Sequence, residues 1–196
     1  MNVSNAIEMM REAELKQLAV KDNKIAILGF INLGILELYK RFRLAESEAI
    51  INKVYGVTEY SLDGTDVNVT IDLEGKQLVL IEKKSNEASF RMPTYNTVVI
   101  PDPEKEEDIE DVIVYYRYAP DFLVHEKQEI PLPPQFFEAL FHYVGYRGHS
   151  SVRGDAKTEN NTHYMRFDKS CNNIIYNGLF IQEEITSAKW ENRGFV

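Results

Sequence analysis

Residues 145–167, GYRGHSSVRGDAKTENNTHYMRF, place two His, two Ser, three Arg, two acids and two Asn in 23 positions. A serine beside a histidine is the pairing that activates a hydroxyl nucleophile, and histidines with carboxylates and a thiol are zinc ligands. The run GHSSV, residues 148–152, follows the nucleophile-elbow pattern G-x-S-x-G until its last position, which is Val152. That elbow also needs a strand leading into a helix. Apolar spacing here puts a helix before it, so Ser150 and Ser151 are expected as turn or cap residues. His142, His149 and His163 with Asp155, Glu159 and Cys171 could supply metal ligands, yet they form neither H-E-x-x-H nor C-x-x-C, and there is one thiol. His149 and His163 are instead expected to hydrogen-bond across a helix hairpin, and Cys171 to fill a core. The segment DPEKEEDIED, residues 102–111, holds seven acids and one Lys but no D-x-D-x-D-G calcium loop, and reads as a solvated loop. Neither G-x-x-x-x-G-K nor G-x-G-x-x-G occurs. The expectation is no catalytic residue, no metal and no cofactor; a small hydrolase using the 142–163 cluster is the enzymatic alternative.

Charge narrows the classes further. The 196 residues carry 22 basic and 31 acidic side chains, a formal net charge of −9. Tight nucleic-acid binding depends on Lys and Arg that neutralise phosphates, so an acidic chain argues against it without excluding a wall past which DNA slides. One cysteine allows no intrachain disulfide. The first residues, MNVSNAIEMMREAELKQ, have no apolar run of signal-peptide length. The longest apolar stretch, residues 25–39, is broken by Asn32 and Glu37 and is too short to span a bilayer. These features predict a protein made in the cytoplasm and without a membrane.

The elements that must position these residues follow from periodicity. Residues 4–20 are expected as a helix capped by Ser4 or Asn5, with Ile7, Met10, Ala13 and Leu18 on one face. KDN, residues 21–23, breaks it, and Asp22 or Asn23 can cap a second helix over 24–43. There Leu28, Ile31, Ile35, Leu38 and Phe42 recur at 3, 4, 3, 4, with Gly29 and Gly34 suggesting a close neighbour. From 47 to 130 the period becomes two. VNVTIDL (67–73), QLVLIEK, TVVIP and DVIVYYRY read as strands, four to six in all, of a small antiparallel barrel or sandwich. Prolines at 131–134 open a third helix with Phe136, Phe137, Leu140, Phe141 and Val144 on its stripe, expected to fray at 145–148. Gly154 marks a turn before a fourth helix, 156–179, with Tyr164, Phe167, Cys171, Ile174, Ile175 and Leu179 inward. The tail 181–196 has no period but carries Trp190 and Phe195. The expected fold is therefore α+β: a four-helix bundle from 1–46 and 131–180, an inserted antiparallel β lobe at 47–130, and an extended C-terminal tail.

Three stretches in this order, KIAILGFINLGILELYKRFRL (24–44), LPPQFFEALFHYVGYRGHSS (132–151) and ENNTHYMRFDKSC (159–171), resemble the head-to-tail connector or adaptor proteins of tailed bacteriophages. The longer β block is more similar to the adaptor of short-tailed phages, also called tail tubular protein A. The resemblance implies a virion neck protein without chemistry, forming a homo-oligomeric ring of twelve copies between the portal protein and a downstream tail or nozzle protein. Viral DNA would pass through the lumen without sequence-specific binding. In that setting Arg147, His149, Arg153, Asn160, Asn161, His163 and Arg166 are the candidate subunit interface, since Arg suits bidentate pairing with carboxylates. Trp190, Arg193 and Phe195 are the candidate portal-docking residues, as aromatic anchors near a chain end. Another tail-completion or tail-ring protein with the same helices is the alternative.

Overall fold

The computed structural model describes residues 1–85, 90–101, 111–152 and 157–180. Among them are four α-helices and seven strands, all strand pairs antiparallel, an α+β composition. The chain divides into two compact units. One contains Met1–Gly34 and the chain from Leu132; the other is Ile35–Pro131. The division falls inside the second helix. No helix among the described residues is long and apolar enough to cross a membrane.

In the helical unit, α1 is Val3–Glu12, shorter than the 4–20 expected and capped two or three residues earlier. Asn2 is the cap: its Oδ1 accepts the Asn5 N–H at 2.9 Å, satisfying one orphan donor of the first turn. Val3, Ala6, Ile7 and Met10 form its buried stripe. At 100° per residue a continued helix would carry Leu15 about 130° round from the centre of that stripe. The chain leaves the helix at Ala13 instead, and Leu15 and Leu18 enter the core from irregular backbone followed by a 3₁₀ turn, Ala19–Asp22. Ala13, expected to face inward, is exposed. Burial of two leucines outweighs the continuity of one short helix.

Asn23 caps α2, Lys24–Arg41, by accepting the Ala26 N–H at 3.0 Å. Its buried positions include Ile27, Ile31, Ile35 and Leu38, followed by Phe42, so Ile27 rather than Leu28 leads the stripe. Gly34 has a neighbour as expected: a Cβ there would lie 2.6 Å from Leu140 Cδ1. Gly29 has open space.

After the proline-led 3₁₀ turn Pro134–Phe136, α3 runs over Phe137–Val152 and α4 over Lys157–Tyr176. Helix α3 packs against both α1 and α4. It does not fray at 145–148. Gly145 and Gly148 are buried mid-helix because their missing side chains admit other residues; a Cβ on Gly148 would lie 2.5 Å from Leu15 Cδ2. Phe136 in the 3₁₀ turn and Ala139, Leu140, Tyr143 and Val144 on α3 are buried, with Phe137 and Phe141 half-buried. On α4, Phe167, Cys171 and Ile174 face the core as expected. Tyr164, Ile175 and Leu179 are exposed. The turn expected at Gly154 lies outside the described residues.

The other unit has two sheets. β1 (Glu46–Ile51), β3 (Val69–Thr70), β7 (Val112–Pro120) and β4 (Lys76–Ser85) form one in the order β3-β1-β7-β4. β2 (Glu59–Ser61), β6 (Thr97–Val99) and β5 (Arg91–Thr94) form the other, in the order β2-β6-β5. The β1–β7 register runs from Glu46 opposite Arg117 to Ile51 opposite Val112. Val112, Val114 and Tyr116 alternate inward and join Ala49, Ile51, Tyr60 and Val98 in one apolar cluster drawn from both sheets. Two tyrosine hydroxyls in it find carbonyl acceptors, Tyr60 at Val57 O (2.9 Å) and Tyr116 at Asp72 O (2.8 Å). The long strand expected at 67–73 is two residues, and Val67 is 93% exposed. Turn chemistry shortens it from both ends. Asp66 accepts the N–H groups of Ser61 and Asn68, and Asp72 accepts that of Glu74 ahead of Gly75 at φ +66°.

Candidate functional site

Two of the residues singled out, His142 and His163, converge on a partner that periodicity did not pick out. Glu14 lies just past the end of α1, where the chain turns. One carboxylate oxygen is 3.3 Å from His142 Nδ1 on α3, the other 3.3 Å from His163 Nδ1 on α4. These are ion-pair distances without hydrogen-bond geometry. His142 Nε2 faces Glu138 Oε1 at 3.7 Å. The His149 ring stacks on His163, centroids 4.2 Å apart and planes 20° from parallel. The expected hydrogen bond across the hairpin is thus a ring stack, and His149 Nδ1 is buried with no hydrogen-bond partner. Gly145 makes the arrangement possible: a Cβ there would meet Glu14 Oε2 at 3.0 Å and His163 Nδ1 at 3.1 Å.

The electrostatics follow from this packing. His142 first, with smaller help from the charges of His163 and Arg166, holds the Glu14 carboxyl below its ordinary range against the opposing effect of burial. Burial is the main influence on His163 and pushes it below the ordinary histidine value; His149 adds to the shift and Glu14 opposes it. Both shifts favour a carboxylate facing a neutral imidazole near neutral pH. Glu14, His142 and His163 together bring three segments to one point: the turn after α1, α3 and α4.

Nucleophilic chemistry finds no support in the local geometry. Ser150 Oγ donates to Tyr146 O at 2.7 Å and Ser151 Oγ to Gly148 O at 2.8 Å. Both serines are therefore inside the last turns of α3, bonded back onto the helix, and are not turn or cap residues. Among the described residues no group of three or more His, Cys, Asp or Glu is placed to hold a metal. Cys171 is buried in the core.

Of the expected interface residues, Arg147, His149 and His163 are half-buried and Arg166 is exposed. Asn160 and Asn161 lie in α4, but their side chains are outside the described residues, as is Arg153. Trp190, Arg193 and Phe195 are outside them too. Glu14 was missed because it follows a helix break that leaves no periodic trace. The only hint is an acid beside Leu15 in a stretch whose apolar spacing drifts.

The β unit has its own polar group. Arg43 pairs with Glu46 at 3.1 Å and with Glu82 at 3.4 Å, and Glu82 also pairs with Arg117. It links the segment after α2 to β1, β4 and β7. Like the Glu14 group it joins separate segments of chain.

Among curated proteins none matches the chain. Residues 4–184 match the family model described as SU10 adaptor protein, and on that match, which takes in both compact units, the chain belongs to this family of phage head-to-tail adaptors.

Proposed function

We propose that the protein is a structural subunit of a phage neck ring, joining the portal to the tail and forming part of the channel through which DNA passes. The family match over 4–184 carries this reading. The ring has twelve copies, its partners are the portal and a downstream tail or nozzle protein, and viral DNA passes without sequence-specific binding. The four helices close into a bundle, the two sheets of 47–130 form an inserted barrel or sandwich lobe, and the tail 181–196 docks on the portal through Trp190, Arg193 and Phe195.

In this reading Arg147, Arg153 and Arg166, with Asn160 and Asn161, meet a neighbouring subunit, and His149 and His163 hold that surface in place from beneath. Support comes from the Glu14 group, which joins α3 to α4. The acidic balance of −9 suits a lumen, since a basic wall would bind DNA by counterion release.

The test is electron microscopy with mass determination on the purified full chain, alone and mixed with the portal ring of the same phage. A closed ring, or a portal particle that gains a fixed number of copies, is the expected result. A chain that stays monomeric and ignores the portal would sink the reading.

A further inference from the structure

Helix α4 carries two stripes. One faces the core through Phe167, Cys171 and Ile174. The other runs along its opposite side through Thr162, Met165, Lys169, Asn172 and Tyr176, again at spacings of 3, 4, 3 and 4. Met165 is 69% and Tyr176 90% exposed, and the neighbouring cations Arg166 and Lys169 are exposed too. Among the described residues, those that line a shallow open depression on this side belong to α4. Its acid is Asp168, half-buried at the edge and accepting from Asn172 Nδ2 at 3.0 Å. The face is apolar and basic.

Helix α1 has the matching face. Opposite its buried stripe it exposes Asn5, Glu8, Met9 and Glu12, at the spacing of one helix side. Met9 is 53% exposed. Arg11, the cation beside this face, pairs with Glu8 and with Asp22, both at 3.2 Å. The face is apolar and acidic.

We infer that the acidic outer face of α1 in one copy packs on the basic outer face of α4 in the next, Met9 against Met165 and Glu8 and Glu12 against Arg166 and Lys169. The occupant is a second copy because this chain carries both halves of a charge-complementary pair. Both faces point away from the core that α3 shares with α1 and α4, and their residues are exposed. Two different patches that fit each other make a head-to-tail contact, which repeats from copy to copy. The inference rests on the ring reading and names its contact. Exposed ion pairs weaken with salt, so this contact is salt-sensitive.

The experiment uses full-length chain on the portal ring of the same phage. Met9→Cys and Met165→Cys are prepared separately and treated with a bismaleimide; native Cys171 is buried. The mixture is expected to give a covalent dimer that neither variant gives alone. Adding Arg166→Glu and Lys169→Glu to one chain should reduce the dimer at least tenfold, and pairing it with a chain carrying Glu8→Lys and Glu12→Lys should restore it. Dimers from either variant alone, or assembled particles indifferent to charge reversal, would overturn the contact and leave the ring reading standing. Failure of the unaltered chain to assemble on the portal would overturn both. All the substituted side chains lie on outer faces, but Glu8 also pairs with Arg11 in its own chain, so circular dichroism of each variant separates a lost contact from a lost fold.

Discussion

The two units pair charges at similar burial with different chemistry. In the helical unit, Glu14, His142 and His163 side chains are 14–17% exposed; in the β unit, Arg43, Glu46, Glu82 and Arg117 are 15–25% exposed. Each group joins three or more segments. The β group uses guanidiniums, which do not titrate in the physiological range, whereas the helical group uses imidazoles, which do. Near neutral pH, protonation therefore reaches an imidazole such as His163 before it could alter either guanidinium. The difference has a packing origin. Buried glycines on α3 let Glu14 and Leu15 approach the helix closely, so short, flat imidazoles fit between the helices. In the sheet, alternation sends apolar side chains inward and leaves Arg and Glu partly exposed outside the apolar cluster.

Three experiments sharpen or break this comparison, with hydrogen exchange at α3 and α4 amides reporting the helical unit and at β7 amides the β unit. The largest effect is expected from Gly148→Ala. Its Cβ would meet the buried Leu15, and overpacking of this kind costs about 1–3 kcal/mol. Gly29→Ala, in open space on α2, should instead raise stability by about 0.5–1 kcal/mol. If the two variants behave alike, close approach at Gly148 is not what holds the helices together.

Next comes Glu82→Ala, which leaves two partly buried guanidiniums without their shared carboxylate. A fully buried pair broken this way loses several kcal/mol; with solvent still reaching these groups, about 1–2 kcal/mol is expected. The loss should fall on β7 protection. Equal loss at α3 and α4 would contradict the assignment of the Arg–Glu group to the β unit.

The smallest effect is the pH response. His163 is lowered by burial, so the unfolded chain takes its proton first. The stability it contributes is full above the ordinary histidine value of 6.5 and falls as the pH drops from there toward the folded value. Glu14 is also lowered; its contribution is present above 4.5 and is lost as the pH falls through its folded value. The helical unit should therefore weaken in two steps on acidification. His163→Gln should abolish the upper step and keep the lower. An unaltered profile in that variant would show that His163 does not couple the helices to pH.

Several elements were legible from the sequence for definite reasons. Helix α2 was found nearly to the residue, because its apolar spacing coincides with a real core stripe and Asn23 stands at the cap. β7 was found because Val112, Val114 and Tyr116 alternate in a strand with partners on both sides. The resemblance of 24–44, 132–151 and 159–171 to phage adaptors agrees with the family that 4–184 matches. Other features were misread because a local pattern competed with a tertiary one. The alternation of 67–73 met turns at Asp66 and Asp72. The apolar positions of 4–20 belong to a helix and then to a bend. Gly145 and Gly148 read as a fraying end, since glycine lowers helix propensity when neighbours are invisible.

By itself, then, the sequence determined the α+β composition, the core stripe of α2, the alternation of β7 and the likeness to phage adaptors. All of these depend on neighbours within a few residues or on the linear order of motifs. Only the tertiary structure decided that Glu14 stands between His142 and His163, that His149 stacks on His163, and that α4 has an outer stripe opposite its core. The residues of the Glu14 group lie on three segments up to 149 positions apart in number. Their meeting is set by close packing between helices, an interaction with no period along the chain.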